Sequence, residues 1–172
     1  MKKLFISLFI VLCFVSTVYA GETLTAQQKE ALRWVEKADN IDTYSLKLKY
    51  YSKAIELDSE CMEAYFKRGR MYELNAIFEN PSKKEYYYKK SIDDFNRMVD
   101  LDPEDFRAYL NRGFILGDLK KYDEAVDNFR KTLDLDPSCA LAYYSLGGIY
   151  KEKKEYQEAI DNFNEAILLN FA

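Results

Sequence analysis

Residues 122–129 read YDEAVDNF and residues 156–163 read YQEAIDNF, so that Phe129 and Phe163 stand 34 positions apart. The same interval separates Tyr109 from Tyr143, in YLNRG (109–113) and YYSLG (143–147), and the earlier YFKRG (65–69) belongs to the same series. The stretches that close each unit also recur: AIELD (54–58), MVDLDP (98–103), TLDLDP (132–137) and AILLN (166–170). A fixed period of this length marks stacked supersecondary units, none of which can bury its apolar face alone.

Each unit reads as two helices. The first carries an aromatic residue, a glycine and a tyrosine at helical spacing, as in Tyr143, Gly147 and Tyr150. The second sets Ala159, Phe163 and Ala166 on one stripe, at the steps of an amphipathic helix. Gly147 and Ala159 are small, which lets the paired helices approach until Tyr143 and Phe163 fill the space between them. Helix starts are marked by Asp102-Pro103-Glu104-Asp105, read as an N-cap, a proline at the first helical position and an acid in the first turn. Asp136-Pro137 repeats that start, Asp58-Ser59 does so without the proline, and Thr25 with Gln28 reads as a capping box.

On these residues the chain resembles the tetratricopeptide repeat family, whose unit runs aromatic, Leu-Gly, Tyr, Ala, aromatic, Ala and Pro. The last repeat, 140–172, follows that pattern except for Phe171 at the proline position. Repeat 106–139 keeps Tyr109, Gly113, Ala125, Phe129 and Pro137, and repeat 62–105 keeps Tyr65, Gly69, Tyr72, Phe95 and Pro103. The first, 28–61, is degenerate: Tyr51 and Ala54 fit, whereas Trp34 and Val35 replace Leu and Gly. The resemblance implies an all-α solenoid of about four stacked helix-turn-helix repeats across residues 21–172.

Repeat two is longer than the others, with an insertion near 73–87. Asn80-Pro81 breaks the chain, and Ser82 with Glu85 reads as a second capping box. The expectation is a loop near 76–81 and a lengthened helix from about 83 to 101. Its extra turn carries Tyr86, Tyr87 and Tyr88, either packed on their own helix or forming an edge that meets a partner.

Composition removes several function classes. The chain is 48% apolar and 31% charged, with six Gly, three Pro and a formal charge of −4. Mild acidity suits nucleic acid poorly, because phosphates require clustered Lys and Arg. Histidine is absent, which removes the commonest general base and the commonest metal ligand. No glycine-rich phosphate loop, paired-cysteine metal motif or calcium loop occurs. Glu56-Asp58, Asp100-Asp102 and Asp134-Asp136 recur at equivalent helix ends, as capping and solvated acids do. The reading is of a protein that is not an enzyme, with no cofactor and no metal site.

Residues 1–20 have a basic start, an apolar run from Leu4 to Val18, and small residues at Val18 and Ala20. That is the pattern of a secretory signal peptide cleaved after Ala20, leaving a periplasmic or secreted chain. An uncleaved membrane anchor is the alternative, since the run is near the ~17-residue lower bound for a span. A lipoprotein through Cys13 is a weak reading, because Leu12 stands where a small residue should precede it. Export permits disulfides, but Cys61 and Cys139 fall at equivalent points two repeats apart, and stacked helices ~8–10 Å apart keep them from pairing.

The resemblance also implies a partner surface, since first helices of successive repeats line a concave groove in that family. Carried onto this sequence, the groove receives Phe66, Lys67 and Arg70 from repeat two, with Glu63 and Glu73. Repeat three gives Arg107, Leu110, Asn111 and Phe114, with Asp118. Repeat four gives Tyr144 and Lys151, with Leu141, Ser145 and Glu152. Aromatic anchors around the basic cluster Lys67, Arg70 and Arg107 suit a protein or peptide with apolar side chains and some negative charge. Some family members clamp a chaperone's C-terminal carboxylate; here Asn111 is the one match, with Phe66, Arg70, Leu141 and Ser145 at the other clamp positions. Arg68 and Arg112 stand where the family has Leu, and each guanidinium is expected to reach an acid on the neighbouring helix, Asp94 in the case of Arg68. The chain ends without a polar capping helix, so Leu168, Leu169 and Phe171 are expected to be exposed or covered by a second copy, giving a self-assembling protein as the alternative function.

Overall fold

The computed structural model describes residues 23–78 and 81–171. The leader therefore lies outside the described residues. Eight helices follow one another: α1 (Ala26–Asp39), α2 (Tyr44–Leu57), α3 (Met62–Phe78), α4 (Pro81–Leu101), α5 (Phe106–Asp118), α6 (Tyr122–Leu135), α7 (Ala140–Glu152) and α8 (Tyr156–Phe171). No strand occurs among the described residues. Neighbours pair as α1–α2, α3–α4, α5–α6 and α7–α8, and each pair packs its second helix on the first helix of the next.

The order of contacts sets the curvature. First helices also touch one another, α1 with α3, α3 with α5 and α5 with α7, whereas among the described residues the second helices do not meet. The first helices are thus the crowded, inner side of the stack, and the second helices fan out behind them. This is the open α-solenoid that the period implies.

Within each hairpin the aromatic residue of the second helix lies on the glycine of the first. A Cβ built on Gly69, Gly113 or Gly147 would sit 3.0, 2.7 or 2.7 Å from the ring of Phe95, Phe129 or Phe163. Phe95 and Phe129 are fully buried, and burying a phenylalanine contributes roughly 1.5–3 kcal/mol. The core continues from hairpin to hairpin, as in the cluster of Leu116, Val126, Phe129, Leu146 and Ile149 across α5, α6 and α7.

Turns between the hairpins differ from the caps that the sequence suggests. The capping box at Thr25 is present, with its hydroxyl accepting from the Gln28 amide and the Gln28 side chain accepting from the Thr25 amide. Asp102, however, is not the cap of α5; Asp105 is, accepting from the Arg107 amide at 3.0 Å. Asp58, Asp102 and Asp136 each instead accept from the backbone N–H two residues on, at 3.1, 2.9 and 3.1 Å. These acids recur because each closes a side-chain turn before the next first helix.

The insertion lengthens both helices of the second hairpin. α3 and α4 have 17 and 21 residues, against 13 and 14 in α5 and α6. α3 runs on to Phe78, into the stretch expected to be loop, of which residues 79 and 80 lie outside the described residues, and α4 starts at Pro81, so Ser82 lies inside the helix. Asn75 and Ala76 are buried, which explains why the helix continues there. Of the three tyrosines, Tyr88 is fully buried and donates its hydroxyl to Asp118, Tyr87 stacks on Tyr72, and Tyr86 is 58% exposed.

Cys61 and Cys139 are free thiols, and burial pushes the Cys61 thiol up to about 11. Arg68 reaches Asp94 as expected, in a two-pronged pair at 2.9 and 2.7 Å, while its third nitrogen donates to Ser52 at 3.0 Å. Arg112 meets no acid: it donates to the side-chain oxygens of Asn128 and Asn96 at 2.7 and 2.8 Å. Neutral acceptors suffice there, and burial draws the Arg112 pKa down.

Candidate partner-binding surface

The inner face divides into two halves of different chemistry. Between α1, α3 and α5 it is tied together by charges. Lys67 donates to Asp39 at 2.8 Å and lies 3.4 Å from Glu63. Burial opposes the charge on Lys67, but Asp39 and Glu63 together outweigh it and hold the pKa above the usual lysine value. Arg107 grips Asp105 with two nitrogens, stands 3.6 Å from Glu63 and covers the ring of Phe66 at 4.9 Å. Arg70 donates to Asn111 at 2.9 Å and lies 3.3 Å from Glu73.

Lys67 and Arg107 thus meet at Glu63, Arg70 lies beside Asn111, and each of the three cations already has an acid of its own. Asp39, Glu63, Glu73 and Asp105 supply the opposite charge, and only Glu63 and Glu73 of these were placed at the groove from sequence. Asn111 is 3% exposed, accepting from Arg70 and donating to the Arg107 carbonyl. Leu110 is buried in the core that α5 shares with α7. Neither Leu110 nor Asn111 presents its side chain to a partner. Phe114 is half-buried, its ring 5.4 Å from that of Phe129.

On α7 the inner face is open and apolar. Leu141, Tyr144, Gly148 and Lys151 follow one stripe at helical spacing. Leu141 is 51% and Tyr144 62% exposed, although the Tyr144 ring leans on Phe163 at 5.5 Å. A Cβ on Gly148 would meet nothing within 4 Å. A side chain from outside can thus rest on the Tyr144 ring and fill the space above Gly148, with exposed Lys151 one turn further on. Gly148 was not singled out in the sequence. The available signal was the doubled glycine Gly147-Gly148, of which the packing of Phe163 accounts for only the first.

Elsewhere, a cleft of about 270 Å³ lies between α6, α7 and the start of α8, lined by Asp123, Arg130, Tyr150, Lys153 and Glu155 among others. Lys153 there pairs with Asp123 at 2.8 Å and Glu155 at 3.4 Å, and Arg130 donates to the Tyr150 hydroxyl at 3.0 Å. The described residues hold no cluster of metal-ligating side chains and no helix long and apolar enough to cross a membrane.

The sequence profile of the tetratricopeptide repeat matches residues 104–167. Among solved structures, MamA superposes with a TM-score of 0.69 at 22% identity, over 83% of this chain and 78% of that one. MamA of Desulfovibrio magneticus RS-1 gives a TM-score of 0.64 at 18% identity, over 84% and 73%. The first tetratricopeptide domain of Spaghetti (RPAP3), bound to the HSP90 peptide SRMEEVD, gives 0.63 at 23% identity, over 74% and 95%. No curated protein matches the sequence. At these identities the structural likeness is a likeness of fold.

Proposed function

We propose that the chain is a tetratricopeptide-repeat interaction module that holds its partner on the inner face of α7 and does so after export; the profile match over residues 104–167 and the likeness of fold support the first part of that reading. The observation that carries this reading is the stripe Leu141, Tyr144, Gly148 and Lys151. Two large apolar side chains are more than half exposed there, beside a position with no side chain and no neighbour within 4 Å. Anchors of this kind supply most of the free energy of interfaces.

The polar half of the groove plays a different part. Lys67, Arg70 and Arg107 are engaged with the protein's own acids, so an acidic partner gains less from them than the sequence implies. They fix the spacing of α1, α3 and α5 and, with Phe66 and Phe114, form the floor along which an extended or helical peptide runs. A chaperone-tail clamp is disfavoured, since Asn111 is used internally. Catalysis is not proposed: the groove offers paired charges and apolar contact, without a nucleophile beside a base.

Affinity capture from the envelope fraction tests the reading. A partner retained by the wild-type protein should be lost at least tenfold with Tyr144→Ser and Leu141→Ser combined, and kept with a substitution at exposed Asp134 on α6. Equal retention by the groove variant would contradict the proposal. Export rests on the leader pattern and predicts a mature chain beginning at Gly21, read directly from the intact mass. An N-terminus at Met1 in the membrane fraction would favour the anchored form instead.

A further inference from the structure

The last helix leaves open a position that the second helix before it buries. Position for position along the repeat, Val126 of α6 is 6% exposed under α7, while its counterpart in α8, Ile160, is 52% exposed. Ile167, whose counterpart Leu133 is half-buried, continues that stripe at 53%, and Leu168 stands beside it at 63% where α6 has the exposed Asp134. The helix carries Glu158, Asp161 and Glu165 and no basic residue between 156 and 171. Its open face is apolar with acidic flanks.

A surface of opposite character lies on the same chain. α3 overruns the end of α5, and its last turn exposes Leu74, Ile77 and Phe78 at 39%, 51% and 82%. Just beyond, α4 presents Lys83, Tyr86 and Lys90 on one exposed stripe. Four lysines and one glutamate fall within residues 82–90. This hairpin tip is apolar with basic flanks.

We infer that the open face of α8 docks on the α3–α4 tip of a second copy of the chain. Two features of the fold support that occupant. Second helices in this protein pack against first helices, and the overhang of α3 is a stretch of first helix with an uncovered apolar side and basic neighbours, unlike the α7 stripe. The charges also match, acidic on α8 and basic on the tip, which steers and orients the contact. The outer side of α1 fits less well: Lys29, Arg33 and Glu36 face out, and no large apolar residue of α1 is exposed. Because the two surfaces differ, the contact is heterologous and joins copies end to middle. It goes beyond the groove reading and leaves the α7 stripe free.

Sedimentation velocity on the full chain, expressed with residues 1–20 in place so that any processing has occurred, tests the inference. The wild type should associate with rising concentration, less so at high salt. The pair Lys83→Glu and Lys90→Glu should weaken association at least tenfold, and so should Asp161→Lys with Glu165→Lys, each keeping wild-type helical content. Mixing the two variants should restore association, because each then meets its opposite charge. A strictly monomeric wild type would overturn the inference. So would loss on changing Ile167→Ser with no effect of the tip variant, which means α8 pairs with α8. Loss on changing Lys29→Glu and Arg33→Glu while the tip variant behaves as wild type would overturn it too, in favour of end-to-end stacking.

Discussion

The ring of Phe163 lies so close over Gly147 that a Cβ on the glycine would stand 2.7 Å from it. Gly113 and Phe129 repeat the relationship one hairpin earlier, where Phe129 is fully buried and has nowhere to move. Gly113→Ala should therefore lower the unfolding free energy by up to about 2 kcal/mol, as overpacking (~1–3 kcal/mol) exceeds the helix-propensity gain of ~1 kcal/mol. Gly148→Ala, next to a glycine that cannot change, should raise it by up to ~1 kcal/mol, since open space surrounds that position. Urea unfolding of the two variants gives opposite signs if close packing is the reason for the first glycine.

Asp94, 5% exposed, holds both prongs of Arg68. Removing the carboxylate leaves a largely buried guanidinium with Ser52, and Asp94→Ala should cost about 2–4 kcal/mol. Asp94→Asn recreates the arrangement found one repeat later, where Asn128 accepts from Arg112 at 2.7 Å, and should cost less than half as much. Equal losses in thermal or urea unfolding would show that the repeat-three geometry does not transfer.

Lys120 and Lys154 sit just past the ends of α5 and α7 with φ of 59° and 65°. The amides of Lys121 and Glu155 then close back on the carbonyls of Leu116 and Tyr150, both at 2.9 Å. This left-handed helix ending favours glycine, and a lysine there is strained by roughly 1 kcal/mol. Lys120→Gly and Lys154→Gly should each stabilise the protein by about 0.5–1 kcal/mol, in contrast to glycine introduced inside the same helices. Differential scanning of the paired variants measures both.

How much of this was open to a reader of the sequence follows from what repeats encode. Tyr65, Tyr109, Phe95, Phe129 and Phe163 with their glycines carry the packing, and the packing carries the fold, so the helical hairpins were legible. The acids at 58, 102 and 136 were legible as markers but not in their role, because a capping aspartate and a turn-closing aspartate look alike in sequence. Leu110 and Asn111 lay on the expected face, yet the close approach of α5 to its neighbours buries both. The charge balance of the groove depended on Asp39 and Asp105, which stand at a helix end and a cap outside the inward-facing pattern. Gly148 left only the doubled glycine as a trace, because an opening is made by what its neighbours do not fill.

Glu73 is an acid whose state the fold alters. Burial raises its carboxyl pKa, Arg70 pulls the other way, and the charge of Asp118 adds to the rise. One of its oxygens is buried without a hydrogen-bond partner. A raised folded-state pKa means that the fold takes up this proton before the unfolded chain does, so its contribution is present in acid and is lost as pH rises through the folded value. Glu73→Gln should stabilise the protein by about 0.5–1 kcal/mol at pH 7, with the advantage shrinking as pH falls towards 4. Urea unfolding across that range checks the sign, and a gain that grew in acid would refute it.

The claim that α7 offers the holding surface meets its most direct test at Gly148, where an added Cβ meets nothing within 4 Å. Gly148→Leu should unfold no earlier than the wild type, yet its retention of the captured partner should fall at least tenfold as leucine fills the space beside Tyr144. A Gly148→Leu protein of full stability that holds its partner as tightly as before would contradict the account.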